Sequence, residues 1–270
     1  MTDTDDRPTR ALLIDLDGVI YEDEVCISGA PEAIGWLQKQ AIPHLFLTNT
    51  TSRPRSALVE KLGRLGIETV ESKIVTPPFA ANRWLQENVD GPVALFLAEK
   101  AVEEFSGVKI ANPMHDGPVA AVVIGDYSEC WSFDELNRAF RLLMTESAPK
   151  LIALGMTRYW HAGDGLRLDT APFVVALQHA SGVEPIVLGK PAPPFFEMAL
   201  AELGTHATAT WMIGDDVRSD VGGAQRTGLR GVLVRTGKFR PGDLELAVTP
   251  DAVLDSVANL PSWWVASAKS

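Results

Sequence analysis

Apolar positions along this chain fall into short continuous runs that alternate with longer segments of helical spacing. The runs have no polar face, which is typical of parallel strands covered on both sides. They predict strands at residues 11–14, 42–47, 93–97, 119–124, 151–154, 186–188, 210–213 and 231–234.

The segments between these runs place apolar residues three or four positions apart, as one face of a helix requires. Ser132 and Thr170 are the predicted N-caps of two of these helices. The predicted helices lie within residues 29–40, 57–65, 80–85, 99–105, 131–144, 170–181, 195–203 and 217–228. Strands that alternate with helices predict an α/β fold with a doubly wound parallel sheet.

Length, composition and charge narrow the classes of function. With 270 residues, 46% of them hydrophobic, the chain can bury a large core in one or two domains. The net charge of −11 argues against nucleic acid or an anionic membrane as a partner, because both require a basic surface. Two cysteines without CxxC spacing, an acidic amino terminus and the lack of a long apolar run predict a cytoplasmic protein without a signal peptide.

The first predicted strand ends in two acids and a glycine, Asp15, Asp17 and Gly18. Two carboxylates at the end of a buried strand repel each other, and a divalent cation is the simplest compensation. Gly18 allows the chain to turn there, at the edge where open α/β sheets bind their ligands. Taken alone, the Asp-Leu-Asp-Gly stretch also fits an ordinary surface turn.

Polar groups follow three other predicted strands in the same way. Thr48, Asn49 and Thr50 supply hydroxyl and amide donors before a helix, a composition that suits an anion but also a simple N-cap. Lys190 follows the strand at 186–188, and Asp215 with Asp216 follows the strand at 210–213. Because parallel strands end at one edge of a sheet, we expect these groups to converge and hold Mg²⁺ and a phosphoryl group.

This set of groups suits phosphoryl transfer to a carboxylate. One aspartate attacks phosphorus and forms an acyl phosphate that water hydrolyses, while a second carboxylate protonates the leaving oxygen. Asp15 and Asp17 fit these two parts, and Lys190 with the metal offsets the repulsion between two anions.

Four segments resemble, in order, the motifs of the haloacid dehalogenase (HAD) superfamily of phosphatases. They are DLDGV at Asp15, LTNT at Thr48, GKP at Lys190 and GDDVRSD at Asp215. Within the type IIA subgroup, GMTRYW and VRTGKFRP look most like the branch of phospholysine phosphohistidine inorganic pyrophosphate phosphatases and HAD-domain-containing relatives. The resemblance implies a Rossmann-like core at residues 1–78 and 186–270 and an inserted α/β cap at 79–185.

The resemblance also implies the role of each residue. Asp15 would be the nucleophile and Asp17 the acid/base, and Mg²⁺ would be held by the Asp15 carboxylate, the Asp17 backbone carbonyl and Asp215. Lys190 would assist catalysis and hold the phosphoryl group together with Gly18, Thr48, Asn49 and Thr50. Asp216 and Asp220 would lie just outside the metal ligands.

Residues in the cap are the predicted source of substrate recognition. The loop 155–165 contains Arg158, Tyr159 and Trp160, which either face the substrate or pack the cap on the core. Trp263 and Trp264 form an apolar patch that either docks on the core or makes a contact in a homodimer.

The predicted activity is Mg²⁺-dependent hydrolysis of small phosphomonoesters through an aspartyl-phosphate intermediate. Pyrophosphate or phosphoamino acids are alternative substrates, although Asp17 stands where some relatives of that branch have serine. A dehalogenase does not need Asp17, and a phosphotransferase or mutase stays open. A receiver-type signalling protein, which accepts phosphate on a similar set of residues, is the alternative from another class.

Overall fold

The structure of the protein is a computed structural model that describes residues 10–112, 117–162 and 165–268. The chain forms two compact units. The first unit contains the described residues up to Thr48, residues Val59–Val75 and the described residues from Lys190 onward. The second unit contains Asn49–Leu58 and the described residues of Thr76–Gly189. The predicted domain boundaries at residues 79 and 186 stay a prediction.

The strands are numbered β1 to β14 in chain order. They are β1 Ala11–Ile14, β2 Tyr21–Glu22, β3 Val25–Cys26, β4 His44–Leu47, β5 Ile74–Val75, β6 Val93–Phe96, β7 Ala121–Ile124, β8 Lys150–Ala153, β9 Tyr159–Ala162, β10 Gly165–Leu168, β11 Pro185–Val187, β12 Thr210–Gly214, β13 Arg230–Val234 and β14 Ala252–Leu254.

The α-helices are numbered in the same way. They are α1 Ala30–Lys39, α2 Arg55–Arg64, α3 Pro77–Asn88, α4 Phe133–Leu143, α5 Thr170–Ser181, α6 Pro193–Leu203, α7 Gly222–Arg226 and α8 Leu260–Ser267. The helices expected at 29–40, 131–144 and 195–203 are therefore confirmed, and Ser132 caps α4 as predicted by accepting a hydrogen bond from Glu135 N.

Six parallel strands form the sheet of the first unit, in the order β14-β13-β12-β1-β4-β5. All four residues of β1 are completely buried, as the continuous apolar run predicts. Leu13 pairs with Met212 of β12 on one side and with Leu45 of β4 on the other. The α/β fold with a doubly wound parallel sheet is confirmed.

The order of the strands creates a binding crevice beside β1. The chain continues from β1 outward through β4 and β5 on one side, and later outward from β12 through β13 and β14 on the other. Connections therefore leave β1 and β12 in opposite directions, which opens a crevice at the carboxyl ends of these two strands.

The second unit has its own parallel sheet, in the order β11-β8-β7-β6. Phe96, Val122, Leu142 and Val174 belong to a core that joins this sheet to α4 and α5. The segment expected to be a loop at 155–165 instead contains part of an antiparallel hairpin of β9 and β10. Sequence periodicity could not reveal this hairpin, because all four residues of β10 are exposed.

One prediction about the sheet is wrong. The strand expected at 186–188 exists as β11, but it pairs with β8 in the second unit and not with the strands that carry Asp15 and Asp215. Lys190 therefore does not follow a strand of the same sheet as these acids. A three-residue apolar strand looks the same in either sheet, because both sheets are parallel and covered.

Two further predictions concern the N-cap of α5 and the position of the tryptophans of α8. Asp169, not Thr170, caps α5, since its Oδ1 accepts a hydrogen bond from Thr170 N at 2.6 Å. At the carboxyl end, Trp264 of α8 is 8% exposed and its ring centroid lies 5.4 Å from that of Trp211 in β12. The tryptophan pair thus docks on the sheet of the first unit.

No helix in the described part of the chain is both long enough and apolar enough to cross a membrane.

Candidate active site

Asp15 directly follows the central strand β1. Its backbone nitrogen donates to Ile213 O at 2.9 Å, which continues the pairing of β1 with β12. The residue is 5% exposed, and Oδ1 accepts a hydrogen bond from Leu16 N at 2.8 Å. The sheet thus fixes this carboxylate at the crevice.

Asp215 directly follows the neighbouring strand β12 and is completely buried. Its Oδ2 accepts a hydrogen bond from Lys238 N at 2.7 Å. Its Oδ1 is buried and has no hydrogen-bond partner among the described residues. An unpartnered carboxylate oxygen in a buried position indicates a ligand.

Asp220 is brought to the site by a single π-helical turn, Val217–Val221. Asp216 caps this turn, because its Oδ1 accepts hydrogen bonds from Arg218 N and Ser219 N, both at 2.9 Å. Asp216 N in turn donates to Asp220 Oδ2 at 3.1 Å. Oδ1 of Asp216 is thus engaged with its own turn, while Asp220 is completely buried at the site.

Lys190 joins two of these acids. Its Nζ lies 2.8 Å from Asp15 Oδ1 and 2.7 Å from Asp220 Oδ1, and the residue is 4% exposed. The structure therefore brings together Asp15, Lys190, Asp215 and Asp220, although Lys190 comes from outside the strands of this sheet.

The three acids Asp15, Asp215 and Asp220 form one cluster. Each offers a carboxylate oxygen, and these oxygens lie within 4.8 Å of one another. Three buried carboxylates against one buried ammonium leave an excess of negative charge, which a low-dielectric site does not tolerate without protons or a cation. Oxygen donors and the free Oδ1 of Asp215 fit Mg²⁺, which prefers few carboxylates and hard oxygen ligands.

The pKa values of the cluster follow from this charge balance. Burial raises the pKa of Asp215 to about 6, and the charge of Asp220 adds to the effect. Burial also raises the pKa of Asp15, against the opposing charge of Lys190. Burial lowers the pKa of Lys190, but Asp15 and Asp220 outweigh it and raise that pKa, so the lysine stays protonated.

Two glycines pack directly against Asp215. Gly18 has φ of +81° and Gly237 has φ of +60°, and a Cβ on either residue would overlap Oδ2 of Asp215. Both positions therefore require glycine for space as well as for backbone conformation. Gly18 thus leaves room for the Asp215 carboxylate, and its predicted contact with substrate stays a prediction.

Two other residues predicted in this unit, Asp17 and Thr48, are not among the three acids of the cluster. Asp17 is exposed and does not belong to the group of three acids that the described residues form. Thr48 is 2% exposed at the end of β4, and its backbone nitrogen donates to Val75 O at 3.2 Å. Their roles as acid/base and phosphoryl ligand stay predictions.

Five further predicted substrate residues belong to the second unit. Asn49 and Thr50 are half-buried after β4. Arg158, Tyr159 and Trp160 are exposed at the start of the β9–β10 hairpin, and the Arg158 guanidinium lies 5.8 Å from the centre of the Tyr159 ring. Recognition of substrate by these residues stays a prediction.

Sequence reasoning gave no role to the turn that follows β13, Thr236-Gly237-Lys238. In the structure Gly237 and Lys238 contact Asp215. The signal was available, because a polar segment after the predicted strand 231–234 follows the same rule that identified the other motifs.

Comparisons with known proteins agree with this geometry. Residues 12–111 match the family model described as haloacid dehalogenase-like hydrolase, and residues 187–260 match that described as HAD-hydrolase-like. The chain is 39% identical to the phospholysine phosphohistidine inorganic pyrophosphate phosphatase of Homo sapiens over 92% of both chains. It is 39% identical to the haloacid dehalogenase-like hydrolase domain-containing protein 2 of Bos taurus over 88% of both chains.

A solved structure shares the fold throughout. The p-nitrophenyl phosphatase from Archaeoglobus fulgidus superimposes with a TM-score of 0.86 and 26% identity, covering 95% of this chain and 100% of the other. Two family models, relatives of 39% identity over most of their length and the geometry of the acid cluster lead to one assignment. The chain belongs to the haloacid dehalogenase-like hydrolases and is a phosphatase of that family.

Proposed function

We propose that this protein hydrolyses small phosphomonoesters in a Mg²⁺-dependent reaction, with Asp15 as the nucleophile. The observation that carries the proposal is the position of Asp15, which lies between β12 and β4 at the crevice and shares a cluster with Asp215 and Lys190. A carboxylate held next to a cation site and an ammonium can meet an anionic phosphoryl group.

In the first step an oxygen of Asp15 attacks phosphorus. A bond forms between this oxygen and phosphorus as the bond from phosphorus to the leaving oxygen breaks, and the electron pair of that bond goes to the leaving group. The acyl phosphate on Asp15 is the intermediate. Leu16 N and Lys190 Nζ both contact Oδ1 of Asp15, so the Oδ2 atom is the oxygen that we assign to the attack.

Asp17 handles the protons in both steps. Its protonated carboxyl gives a proton to the leaving oxygen, and the resulting carboxylate then takes one from the water that attacks the acyl phosphate. The second step releases phosphate and restores the Asp15 carboxylate.

Lys190 and the metal would supply the positive charge that offsets the acids and the phosphoryl group. Lys190 keeps Asp15 and Asp220 in place through two ion pairs and offsets negative charge as the phosphoryl group arrives. A bound Mg²⁺ would neutralise phosphoryl oxygens, and Asp15, Asp215 and the Asp17 backbone carbonyl would hold it. Thr48 would donate a hydrogen bond to the phosphoryl group from the end of β4.

Pyrophosphate and phosphoamino acids are a second candidate substrate class. The observation in their favour is the 39% identity to a relative that is named a phospholysine phosphohistidine inorganic pyrophosphate phosphatase. Hydrolysis of these substrates breaks a P–N bond or a P–O bond of pyrophosphate by the same attack on phosphorus. The acid cluster therefore suits both this class and the phosphomonoesters.

The decisive experiment is hydrolysis of p-nitrophenyl phosphate with Mg²⁺, with EDTA and with EDTA followed by excess Mg²⁺. We expect sustained turnover, loss with chelator and recovery with metal. One stoichiometric phosphorylation without turnover would instead indicate a receiver. Asp15→Asn should reduce turnover by roughly 10⁴-fold or more, whereas the exposed Asp255→Asn should keep it. Equal rates for the two variants would remove Asp15 from the nucleophile role.

A panel of substrates then separates the two classes. Sugar phosphates, nucleotides and pyridoxal phosphate represent the phosphomonoesters, and pyrophosphate, phospholysine and phosphohistidine represent the alternative. The class with the higher kcat/KM is the assigned one.

Two further properties complete the proposal. We assign a cytoplasmic location, which suits the free thiols of Cys26 and Cys130.

We assign a homodimer formed through the hairpin of the second unit. This hairpin exposes Tyr159, Leu166 and Leu168 by 48%, 63% and 65%. Light scattering of the full chain and of Leu166→Ser tests the dimer.

A further inference from the structure

The turn Thr236-Gly237-Lys238 is hydrogen-bonded to the segments that directly follow β1 and β12. Thr236 Oγ1 donates a hydrogen bond to Gly18 O at 2.6 Å, just after β1. Lys238 N donates to Oδ2 of Asp215 at 2.7 Å, at the end of β12. The backbone of Lys238 is thus fixed at the crevice by contacts that do not depend on its side chain.

The side chain of Lys238 begins next to the same acids, because its backbone nitrogen contacts Asp215. Partial burial lowers the pKa of Lys238, but the charges of Asp215 and Asp15 outweigh it and raise that pKa. Within the part of the chain that the structure describes, this ammonium has no hydrogen bond and no ion pair. A positive charge is therefore held near the nucleophile without a protein partner.

Lys190 differs from Lys238 in what its ammonium already contacts. Lys190 is 4% exposed and forms ion pairs with Asp15 and Asp220. Lys238 is exposed to solvent, so an incoming anion can reach its ammonium. The Lys190 ammonium thus stabilises the acid cluster, whereas the Lys238 ammonium is available to bind a ligand.

We propose that Lys238 is a phosphoryl-binding residue, whose ammonium contacts a phosphoryl oxygen of the substrate positioned at Asp15. The inference deepens the proposed function and rests on it. It adds a second cation to the site from a segment outside the four ordered motifs at Asp15, Thr48, Lys190 and Asp215, and it gives that cation contact with the anion rather than with the carboxylates.

The direction in which two dissociation constants change, one for phosphate and one for Mg²⁺, separates this role from a structural one. Lys238→Met removes the ammonium but keeps the backbone nitrogen that holds Asp215. Anion binding should weaken, because a charge-assisted hydrogen bond is lost. Mg²⁺ binding should stay unchanged or become tighter, because a positive charge next to the metal ligands is gone. A displaced Asp215 would instead weaken Mg²⁺ binding.

The test is calorimetry on the full-length protein and its variants, with Mg²⁺ and inorganic phosphate as probes. We expect Lys238→Met to raise the Kd for phosphate at saturating Mg²⁺ at least about tenfold, and Lys238→Arg to restore most of the affinity. Arg235→Met is the matched control, because it removes a positive charge from an exposed residue of the same segment that pairs with Asp255 at the surface. It should leave both constants unchanged.

The outcomes are distinct. Unchanged phosphate affinity in Lys238→Met, or an equal loss in Arg235→Met, would overturn the assignment. Weaker Mg²⁺ binding in Lys238→Met would overturn it in favour of a structural role. Failure of the wild-type protein to bind phosphate or to turn over p-nitrophenyl phosphate would defeat the proposed function itself, and Lys238 with it.

Discussion

The Nζ atom of Lys190 lies 2.8 Å from Oδ1 of Asp15, and both residues are at most 5% exposed. The proposed nucleophile and the buried cation thus form one ion pair inside the protein. This pair holds together a cluster that would otherwise contain only like charges.

Removal of the cation should therefore destabilise the protein. Lys190→Met leaves Asp15 and Asp220 without their shared partner, and breaking a buried pair in this way costs roughly 3–5 kcal/mol. We expect the free energy of unfolding of the metal-free protein at neutral pH to fall by that amount in urea titrations. Lys39→Met, on the exposed face of α1, should change it by less than about 0.5 kcal/mol. Similar values for the two variants would contradict a stabilising ion pair.

Asp17 should affect turnover without affecting the metal. Its side chain is exposed and does not belong to the three-acid cluster. Asp17→Asn should lower kcat by about 10²–10⁴-fold, the usual contribution of a general acid. The Kd for Mg²⁺ should stay within twofold of wild type, roughly the scatter expected for a surface change.

A matched comparison with Asp215→Asn makes the result informative. That variant removes a carboxylate from the cluster, so it should lose Mg²⁺ affinity and turnover together. If Asp17→Asn also loses Mg²⁺ affinity, the carboxylate of Asp17 takes part in metal binding and the assignment to acid/base chemistry alone is wrong.

Gly18 offers a test of how tightly Asp215 is held. A Cβ at this residue would overlap Oδ2 of Asp215, and φ of +81° disfavours any other residue. Gly18→Ala should displace this carboxylate and raise the Kd for Mg²⁺, as measured by calorimetry. It should also lower the free energy of unfolding by about 1 kcal/mol or more.

Gly35→Ala is the control for this substitution. Gly35 lies within α1 and a Cβ there would contact nothing within 4 Å. Alanine should stabilise the helix by roughly 0.5–1 kcal/mol and leave Mg²⁺ binding unchanged. Equal Mg²⁺ affinity in Gly18→Ala and Gly35→Ala would show that Asp215 tolerates displacement.

The sequence identified the acid cluster because each acid directly follows a run of apolar residues. The run 11–14 became β1 and the run 210–213 became part of β12, and both lie in the same sheet. Adjacent strands that end at one edge bring Asp15 and Asp215 together whatever the length of chain between them. The local pattern of apolar and acidic residues was sufficient to predict these two positions, because each acid lies directly after its apolar run or one residue beyond it.

Where strand pairing decides the structure, the pattern of apolar residues does not predict it. The strands β5 and β14 have two and three residues, and each exists through its pairing, with β4 and with β13. Lys190 was expected to follow a strand of the same sheet, but β11 pairs with β8 in the other unit. Such partners are selected by contacts distant in sequence, which periodicity does not record.

Lys238 was missed for a different reason. Its backbone contact with Asp215 depends on a turn whose geometry is set by Thr236 and Gly237. The apolar run of β13 predicted that a turn would begin there, but not which backbone nitrogen would point at the carboxylate.

Asp215 should make Mg²⁺ binding depend on pH. Burial, followed by the charge of Asp220, raises the pKa of Asp215 from 3.8 to about 6. A metal binds the deprotonated carboxylate, so Mg²⁺ must displace a proton below that pKa.

The same carboxyl group affects the stability of the metal-free protein. Between pH 3.8 and about pH 6 its folded state binds more protons than its unfolded state. The contribution of Asp215 to stability is therefore largest below pH 3.8 and is lost as the pH rises through about 6.

Calorimetry of Mg²⁺ binding from about pH 5 to about pH 8 measures this linkage directly. Because Asp215 must give up a proton and burial also raises the pKa of the neighbouring ligand Asp15, the Kd for Mg²⁺ should fall at least about tenfold per pH unit below pH 6. The heat should also depend on the ionisation enthalpy of the buffer below pH 6, since the released proton is taken up by the buffer. A Kd that stays constant across this range, with no buffer dependence, would show that Asp215 is already ionised and that its burial is compensated within the protein. Asp255→Asn is the matched control, because Asp255 is exposed and pairs with Arg235 at the surface. Its pH profile should follow that of the wild type.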